Sequence, residues 1–282
     1  MKALVTGAAG QLGTALCANL GSDAVGFGHE LDIGDPVAMD SALAVHAPEV
    51  VLNAAAFTQV DRCERESALA HRENALAPEA LAKACERAGC RLVHVSTDYV
   101  FAGEGDTPFK ESDPPAPRSV YGRTKLEGEA RVQAVLPNAL LVRTSWVYGR
   151  GRNFVAAILE QAAKDKPIRV VDDQHGRPTR AKDLAEGILA LVEGGACGLY
   201  HLAGGGEATW WDLARAALDG AGYAAVEVAR IGSHELRTDA PRPKYSVLDC
   251  SRAAHRGVEL PDWREALTEH LRSEDAPATL RL

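Results

Sequence analysis

No C-x-x-C pair occurs in the 282 residues, although there are six cysteines, at 17, 63, 85, 90, 197 and 250. The nine histidines include no H-E-x-x-H, and no His/Cys cluster has metal-ligand spacing, so the sequence offers no metal centre. Cys17 and Cys85 fall on apolar helical faces and are expected to be buried, reduced thiols. Long apolar runs are also missing: none approaches the ~20 residues that a membrane-spanning helix needs. The N-terminus leads straight into a strand, without the charged-then-apolar layout of a signal peptide, and a cytoplasmic protein is expected. Positive charge is not in excess either. A net charge of −8 argues against a general nucleic-acid binder, which would show a basic face. An anionic small ligand is still compatible, because arginines such as Arg143, Arg150, Arg152, Arg177, Arg180 and Arg242 can be set locally in a pocket.

What is present is ordinary globular composition, 46% hydrophobic and 25% charged, enough for one large domain or two small ones. Short apolar runs alternate with helical periods. Strands are expected at 1–6, 23–27, 49–53, 91–95, 139–143, 168–171 and 199–202. Helices are expected after the glycine loop, where Leu12, Leu16 and Leu20 share a face, and at 36–46, 121–135 and 182–192. A long alanine-rich helical stretch spans 61–88, with a restart at Pro78. Alternation of this kind implies right-handed crossovers and a parallel sheet covered on both faces. The expected class is α/β: a Rossmann-like, doubly wound parallel sheet with a smaller, irregular α+β substrate lobe. The dinucleotide-binding domain is placed at 1–150, with 166–200 returning to it. The substrate lobe is placed at 151–165 and 201–272, and 273–282 is read as a flexible tail.

The first strand runs into Gly7-Ala8-Ala9-Gly10-Gln11-Leu12-Gly13, and a helix follows. That context makes a glycine loop credible as a dinucleotide fingerprint. Gly7 permits the turn, Gly10 lets the backbone approach a pyrophosphate, and Gly13 lets the helix pack closely. The anion would meet the free N–H groups at the helix start. Gln11 and Leu12 in the loop, and Ala54-Ala55-Ala56 after the third strand, are read as further cofactor contacts. At the end of the second strand, His29 and Glu30 stand where a basic residue favours NADPH and an acidic one NADH. The balance is read as NADPH, with NADH as the alternative.

The reaction chemistry is carried by Ser96-Thr97-Asp98-Tyr99-Val100-Phe101 and by Tyr121-Gly122-Arg123-Thr124-Lys125. Tyr121 and Lys125 are one helical turn apart and share a face. A nearby lysine cation favours the phenolate, and Tyr121 becomes a usable proton donor. Lys125 is also placed to bond a nicotinamide ribose. Thr97 ends a strand at the edge where open α/β sheets bind ligands, and its hydroxyl can bond a carbonyl oxygen as charge develops there. The trio suits reduction of a carbonyl by a nicotinamide cofactor.

The G-x-x-G-x-x-G spacing resembles the extended branch of the short-chain dehydrogenase/reductase superfamily. STDYVF, YGRTKLEGE from Tyr121, RTSWVYG from Arg143, DDQHGRPT from Asp172 and RPKYSVLD from Arg242 resemble the dTDP-4-dehydrorhamnose reductase family, in consistent order to about Leu248. The resemblance implies reduction of the C4 ketone of a dTDP-linked 4-keto-6-deoxysugar, dTDP-4-dehydro-L-rhamnose, with Thr97, Tyr121 and Lys125 as the catalytic trio. It further implies that Asp32 and Ile33 flank the adenine, and that Trp146, Asn153 and Arg242 contact the nucleotide-sugar.

Three alternatives accompany this expectation. Nucleotide-sugar 4,6-dehydratases resemble T-D-E after the fourth strand, whereas Thr97-Asp98 is followed here by Tyr99, so the base needed for water elimination is missing. A sibling 4-ketoreductase making another deoxysugar fits the same motifs. So does a non-catalytic subunit like the regulatory partner of methionine adenosyltransferase. Some members of the resembled family dimerise through magnesium, using a glutamate just after the glycine loop. Here Gly13-Thr14-Ala15-Leu16 has no acid, and a monomer or weak homodimer without magnesium is expected.

Overall fold

A computed structural model describes residues 1–277. The final residues of the expected tail, 278–282, lie outside the described residues. In chain order the strands are β1 (Ala3–Thr6), β2 (Ala24–Phe27), β3 (Val50–Asn53), β4 (Arg91–Thr97), β5 (Leu140–Thr144), β6 (Val147–Tyr148), β7 (Ile168–Val171), β8 (His175–Gly176), β9 (Thr179–Arg180), β10 (Gly198–His201), β11 (Ala208–Thr209) and β12 (Val228–Ile231). The helices are α1 (Gln11–Leu20), α2 (Pro36–His46), α3 (Val60–Arg65), α4 (Ser67–His71), α5 (Ala77–Ala88), α6 (Val120–Val135), α7 (Phe154–Ala163), α8 (Ala181–Glu193), α9 (Trp210–Gly220), α10 (Ser251–Ala254) and α11 (Trp263–Arg272). No described helix is long and apolar enough to cross a membrane.

Six strands form one parallel sheet in the order β10-β5-β4-β3-β1-β2. The chain steps outward from β1 to β2 and then resumes on the other side of β1 with β3. Their carboxyl ends, Thr6 and Asn53, therefore open a crevice at the point where strand order reverses. β1 and β3 are buried throughout, because helices cover both faces. On one face Leu12, Leu16, Leu184 and Ile188 pack on Val5, Leu52 and Val142. On the other, Met39, Leu43, Leu81 and Cys85 pack on Leu4, Val51 and Leu92.

A separate core gathers Tyr148, Val155, Ile158, Ile168, Ala208, Leu213, Val228 and Trp263. It is assembled from two stretches of chain, with α8 and β10 running back to the main sheet between them. Here the expected return of 166–200 needs correction. β7 pairs in parallel with β12, away from the six-stranded sheet. An isolated four-residue apolar strand shows its sheet partner nowhere in its own sequence, which is why its side of the molecule could not be read.

The expected helix over 61–88 is also broken differently. α3, α4 and a π-helical turn at Arg72–Leu76 precede α5, and Pro78 occupies the first turn of α5, where its missing N–H costs nothing. The π turn lets the Asn74 carbonyl reach α6. A Cβ on Gly128 would lie 2.1 Å from that oxygen, so α6 can take up this position only with glycine there.

Candidate active site

α1 begins at the crevice. Gly7 has φ +67°, and a Cβ on it would come within 2.7 Å of the Ala55 nitrogen. A Cβ on Gly13 would lie 2.1 Å from the Gly7 carbonyl. The loop is thus clamped between the end of β3 and the first turn of α1. Gly10 is the N-cap, and no side chain caps the helix, which leaves its first amides to an outside anion. Such a cradle fits a dinucleotide pyrophosphate.

The cleft that runs from this loop has a volume of about 1160 Å³, larger than a single small ligand requires. Gly7, Gly10, Gln11, Leu12, Asp32, Ile33, Ala54, Ala55 and Ala56 line one end. Thr97, Tyr121, Lys125 and Trp146 line its middle. Asn153 and Arg242 are not in its lining. Asn153 is the N-cap of α7, accepting from the Ala156 amide at 3.0 Å and donating to the Gly149 carbonyl at 2.6 Å. Arg242 pairs with Asp61 of α3 at 2.7 Å. Of the arginines noted from sequence, Arg150 and Arg152 do line the cleft, whereas Arg143 is sealed inside against Glu129. Phe57, Arg62 and Trp210 are lining residues without any sequence signal of their own.

Just after β2, Glu30 folds back and accepts from the Gly28 amide at 2.6 Å, while His29 lines the cleft. Asp32 accepts from the Gly34 amide at 2.8 Å and is ion-paired with Arg72. Among the described residues no group of acidic, histidine or cysteine side chains could hold a metal ion.

The candidate reaction centre rests on two turns. Ser119 caps α6 by accepting from the Gly122 amide at 3.0 Å, so the helix opens one residue before Tyr121. Thr97 caps the short 3-10 turn after β4, accepting from the Tyr99 amide at 3.2 Å and donating to Asp98 at 3.0 Å. Gly122 joins the two turns, since a Cβ there would sit 2.2 Å from the Tyr99 carbonyl.

Burial dominates the electrostatics. It pushes the Tyr121 phenol above its ordinary value, with the adjacent Thr97 hydroxyl opposing. It pushes the Asp98 carboxyl up to about 6. It draws the Lys125 ammonium down to about 8, with Glu129 opposing. The expected depression of Tyr121 by Lys125 is therefore not what this state shows. Tyr121 is held as the neutral phenol, which is the form that donates a proton.

Trp146 adopts φ +46°, a strained backbone for a bulky residue, and its indole stacks on Trp210 with centroids 3.7 Å apart. Gly176 makes room for it: a Cβ there would lie 2.4 Å from the ring.

A family model described as the RmlD substrate binding domain matches residues 1–275. A dTDP-4-dehydrorhamnose reductase of Streptomyces griseus is 46% identical, over 94% of this chain and 91% of its own. The "probable dTDP-4,6-dihydroxy-2-methyloxan-3-one 4-ketoreductase" of Streptomyces antibioticus is 44% identical, over 95% and 94%. A crystal structure of dTDP-4-dehydrorhamnose reductase from Bacillus anthracis, in complex with NADP, superposes with a TM-score of 0.93 at 34% identity, covering 96% of this chain and 99% of that one. With its glycine cradle, strand-end threonine and tyrosine-lysine helix in place, the chain belongs to the RmlD family of extended short-chain dehydrogenase/reductases, that of the dTDP-4-dehydrorhamnose reductases.

Proposed function

We propose that this protein reduces the C4 ketone of dTDP-4-dehydro-L-rhamnose to give dTDP-L-rhamnose, with NADPH as reductant. The observation that carries the reading is the convergence of Thr97, Tyr121 and Lys125 on one cleft with the glycine cradle. When bound, the reduced nicotinamide supplies the hydride. Thr97 orients the ketone oxygen. Tyr121, a neutral phenol in this setting, gives its proton to that oxygen as negative charge develops. Lys125 lies one turn along α6, on the same face as Tyr121. Trp146 supplies a flat apolar wall for the sugar, and Arg150 and Arg152 supply positive charge for a nucleotide diphosphate. Asn153 and Arg242 would act at one remove, by fixing the start of α7 and fastening the 240–243 loop to α3.

The test is to mix the protein with the dTDP-4-keto-6-deoxysugar and NADPH or NADH, follow cofactor oxidation, and identify the product by NMR. Faster turnover with NADPH and a rhamnosyl product are expected. No consumption of either cofactor would overturn the reading. A second reading, a sibling 4-ketoreductase of another deoxysugar, is favoured by the near-equal identity to the Streptomyces antibioticus protein. The C4 epimer, 6-deoxy-L-talose, would be one such product. We also propose a monomer or a weak homodimer without magnesium, since the first turns of α1 carry Thr14, Ala15 and Leu16 and no acid. A magnesium-dependent dimer, seen by mass in solution with and without chelator, would overturn this.

A further inference from the structure

Beneath the reaction centre, a line of buried polar side chains crosses the sheet from Thr6 through Asn53 and His94 to Lys125. Asn53, His94 and Lys125 are each 1% exposed or less. The Asn53 Oδ1 accepts from the Ala55 backbone amide at 3.2 Å and from the Thr6 hydroxyl at 2.7 Å. A backbone N–H can only donate, so the orientation of the Asn53 amide is set. Its Nδ2 then faces His94 Nδ1 at 2.9 Å, and Nδ2 also can only donate. His94 Nδ1 must therefore be the lone-pair nitrogen, and the ring proton sits on Nε2. Burial, reinforced by the Lys125 charge, holds His94 well below its ordinary pKa, so the ring stays neutral.

That Nε2 lies 3.5 Å from Lys125 Nζ. Nζ itself donates to the Val95 carbonyl at 2.7 Å. An ammonium has no lone pair with which to receive an Nε2–H, whereas a neutral amine has one. The histidine contact is thus satisfied only when Lys125 is deprotonated. The other charged group near Lys125 is Glu129, one turn further along α6 and neutralised by Arg143 of β5 at 2.7 Å. Tyr121, one turn earlier on the same helix, is neutral.

We propose that His94, held by Asn53 as the Nε2–H tautomer, is a positioning residue that makes Lys125 a proton-exchanging group rather than a permanent cation. The inference rests on the reductase reading of the site. In each turnover Tyr121 gives its phenolic proton to the new alkoxide. The phenolate takes back a proton that leaves the Lys125 ammonium and reaches it through water of the cleft that both residues line, and Lys125 becomes the amine. His94 Nε2–H bonds the amine lone pair until a solvent proton, entering by the open cleft, restores the ammonium. One proton from water is consumed for each hydride delivered, and the protein ends as it began.

Two measurements need no substrate, so they separate this inference from the functional reading. In 15N-histidine-labelled protein, long-range 1H–15N spectra between pH 6 and 9 should show His94 with a bare Nδ1 and a protonated Nε2. An imidazolium or an Nδ1–H ring would overturn the proposal. The Lys125 13Cε resonance should titrate near pH 8. In His94→Leu its midpoint should rise by roughly half to one pH unit, the equivalent of losing one hydrogen bond. In turnover assays the alkaline limb of kcat should move up by the same amount, with the KM values for cofactor and sugar held within about twofold. Should His94→Leu fail to fold, the native tautomer spectrum decides alone. An unmoved lysine midpoint in a folded variant would overturn the proposal.

Discussion

The ring of Tyr99 meets that of Tyr121 edge to face, with centroids 5.5 Å apart and planes at 73°. Tyr99 stands where the resembled dehydratases carry glutamate, and here its ring packs on Tyr121, the proton donor of the proposed reaction. Tyr99→Phe should retain the packing and most activity. Tyr99 is partly buried, so Tyr99→Ala should cost less than the about 3–5 kcal/mol of a fully buried aromatic truncation, and should also lower kcat. Chemical denaturation and steady-state rates check both; equal behaviour of the two variants would exclude a role for this packing.

Tyr121→Phe removes the acid but not the ring. Cofactor affinity, measured by fluorescence titration, should be unchanged, while kcat falls on the order of 10²–10⁴-fold, the range of general acid contributions. Unchanged turnover would remove Tyr121 from the mechanism.

Asp98 gives a pH dependence of stability. Its folded pKa, about 6, is raised above the ordinary 3.8. The protonated carboxyl therefore favours the fold. That contribution is fully present below about pH 4 and is lost as pH rises through 6. Asp98→Asn keeps an acceptor for the Thr97 hydroxyl and carries no charge to bury. It should be more stable than the parent at pH 8, by on the order of 2 kcal/mol, and lose that advantage at pH 4. Melting curves across this range check it, and a constant difference would contradict it.

Gly122→Ala would drive a methyl into the Tyr99 carbonyl, 2.2 Å away. α6 must shift, and Tyr121 with it. A lower melting temperature and a kcat loss of about tenfold or more are expected, since small misplacements are costly in catalysis. A rate equal to the parent's would mean that α6 can move without disturbing the centre.

Trp210→Ala takes away the partner on which Trp146 stacks. Aromatic pairs contribute about 0.5–1.5 kcal/mol beyond their burial, so KM for the nucleotide-sugar should rise about twofold to tenfold. NADPH affinity should not change. A rise confined to the cofactor would place Trp210 at the wrong end of the cleft.

Much of this site could be read from the chain because it is local. The glycine loop needs only a strand before it and a helix after it, and Tyr121 and Lys125 need only one helical turn. Thr97 follows from where β4 ends. What could not be read depends on contacts between distant segments. His94, set between Val93 and Val95, looks like an ordinary core position in a strand, and its meaning comes from Asn53, 41 residues away. Trp210 reaches the cleft from a helix of the second core. The arginines could be counted but not assigned, because whether each meets an acid inside the protein, as Arg143 and Arg180 do, is decided by tertiary packing. The π turn at Arg72–Leu76 has no periodic signature, and the requirement for it appears on the facing helix, at Gly128.

The interleaving of the two cores bears on how such proteins can be recombined. β6 pairs with β9, and Phe109 with Leu248, so the stretches on either side of residue 150 are stitched together at these two places. A chimera joined at one point near residue 150 would bring α8 and β10 from the donor into a foreign sheet along with the new sugar-facing wall. Exchange of sugar preference between relatives calls for two grafted segments with α8 and β10 left in place, and single-crossover hybrids should fail at the sheet edge before they fail at the substrate.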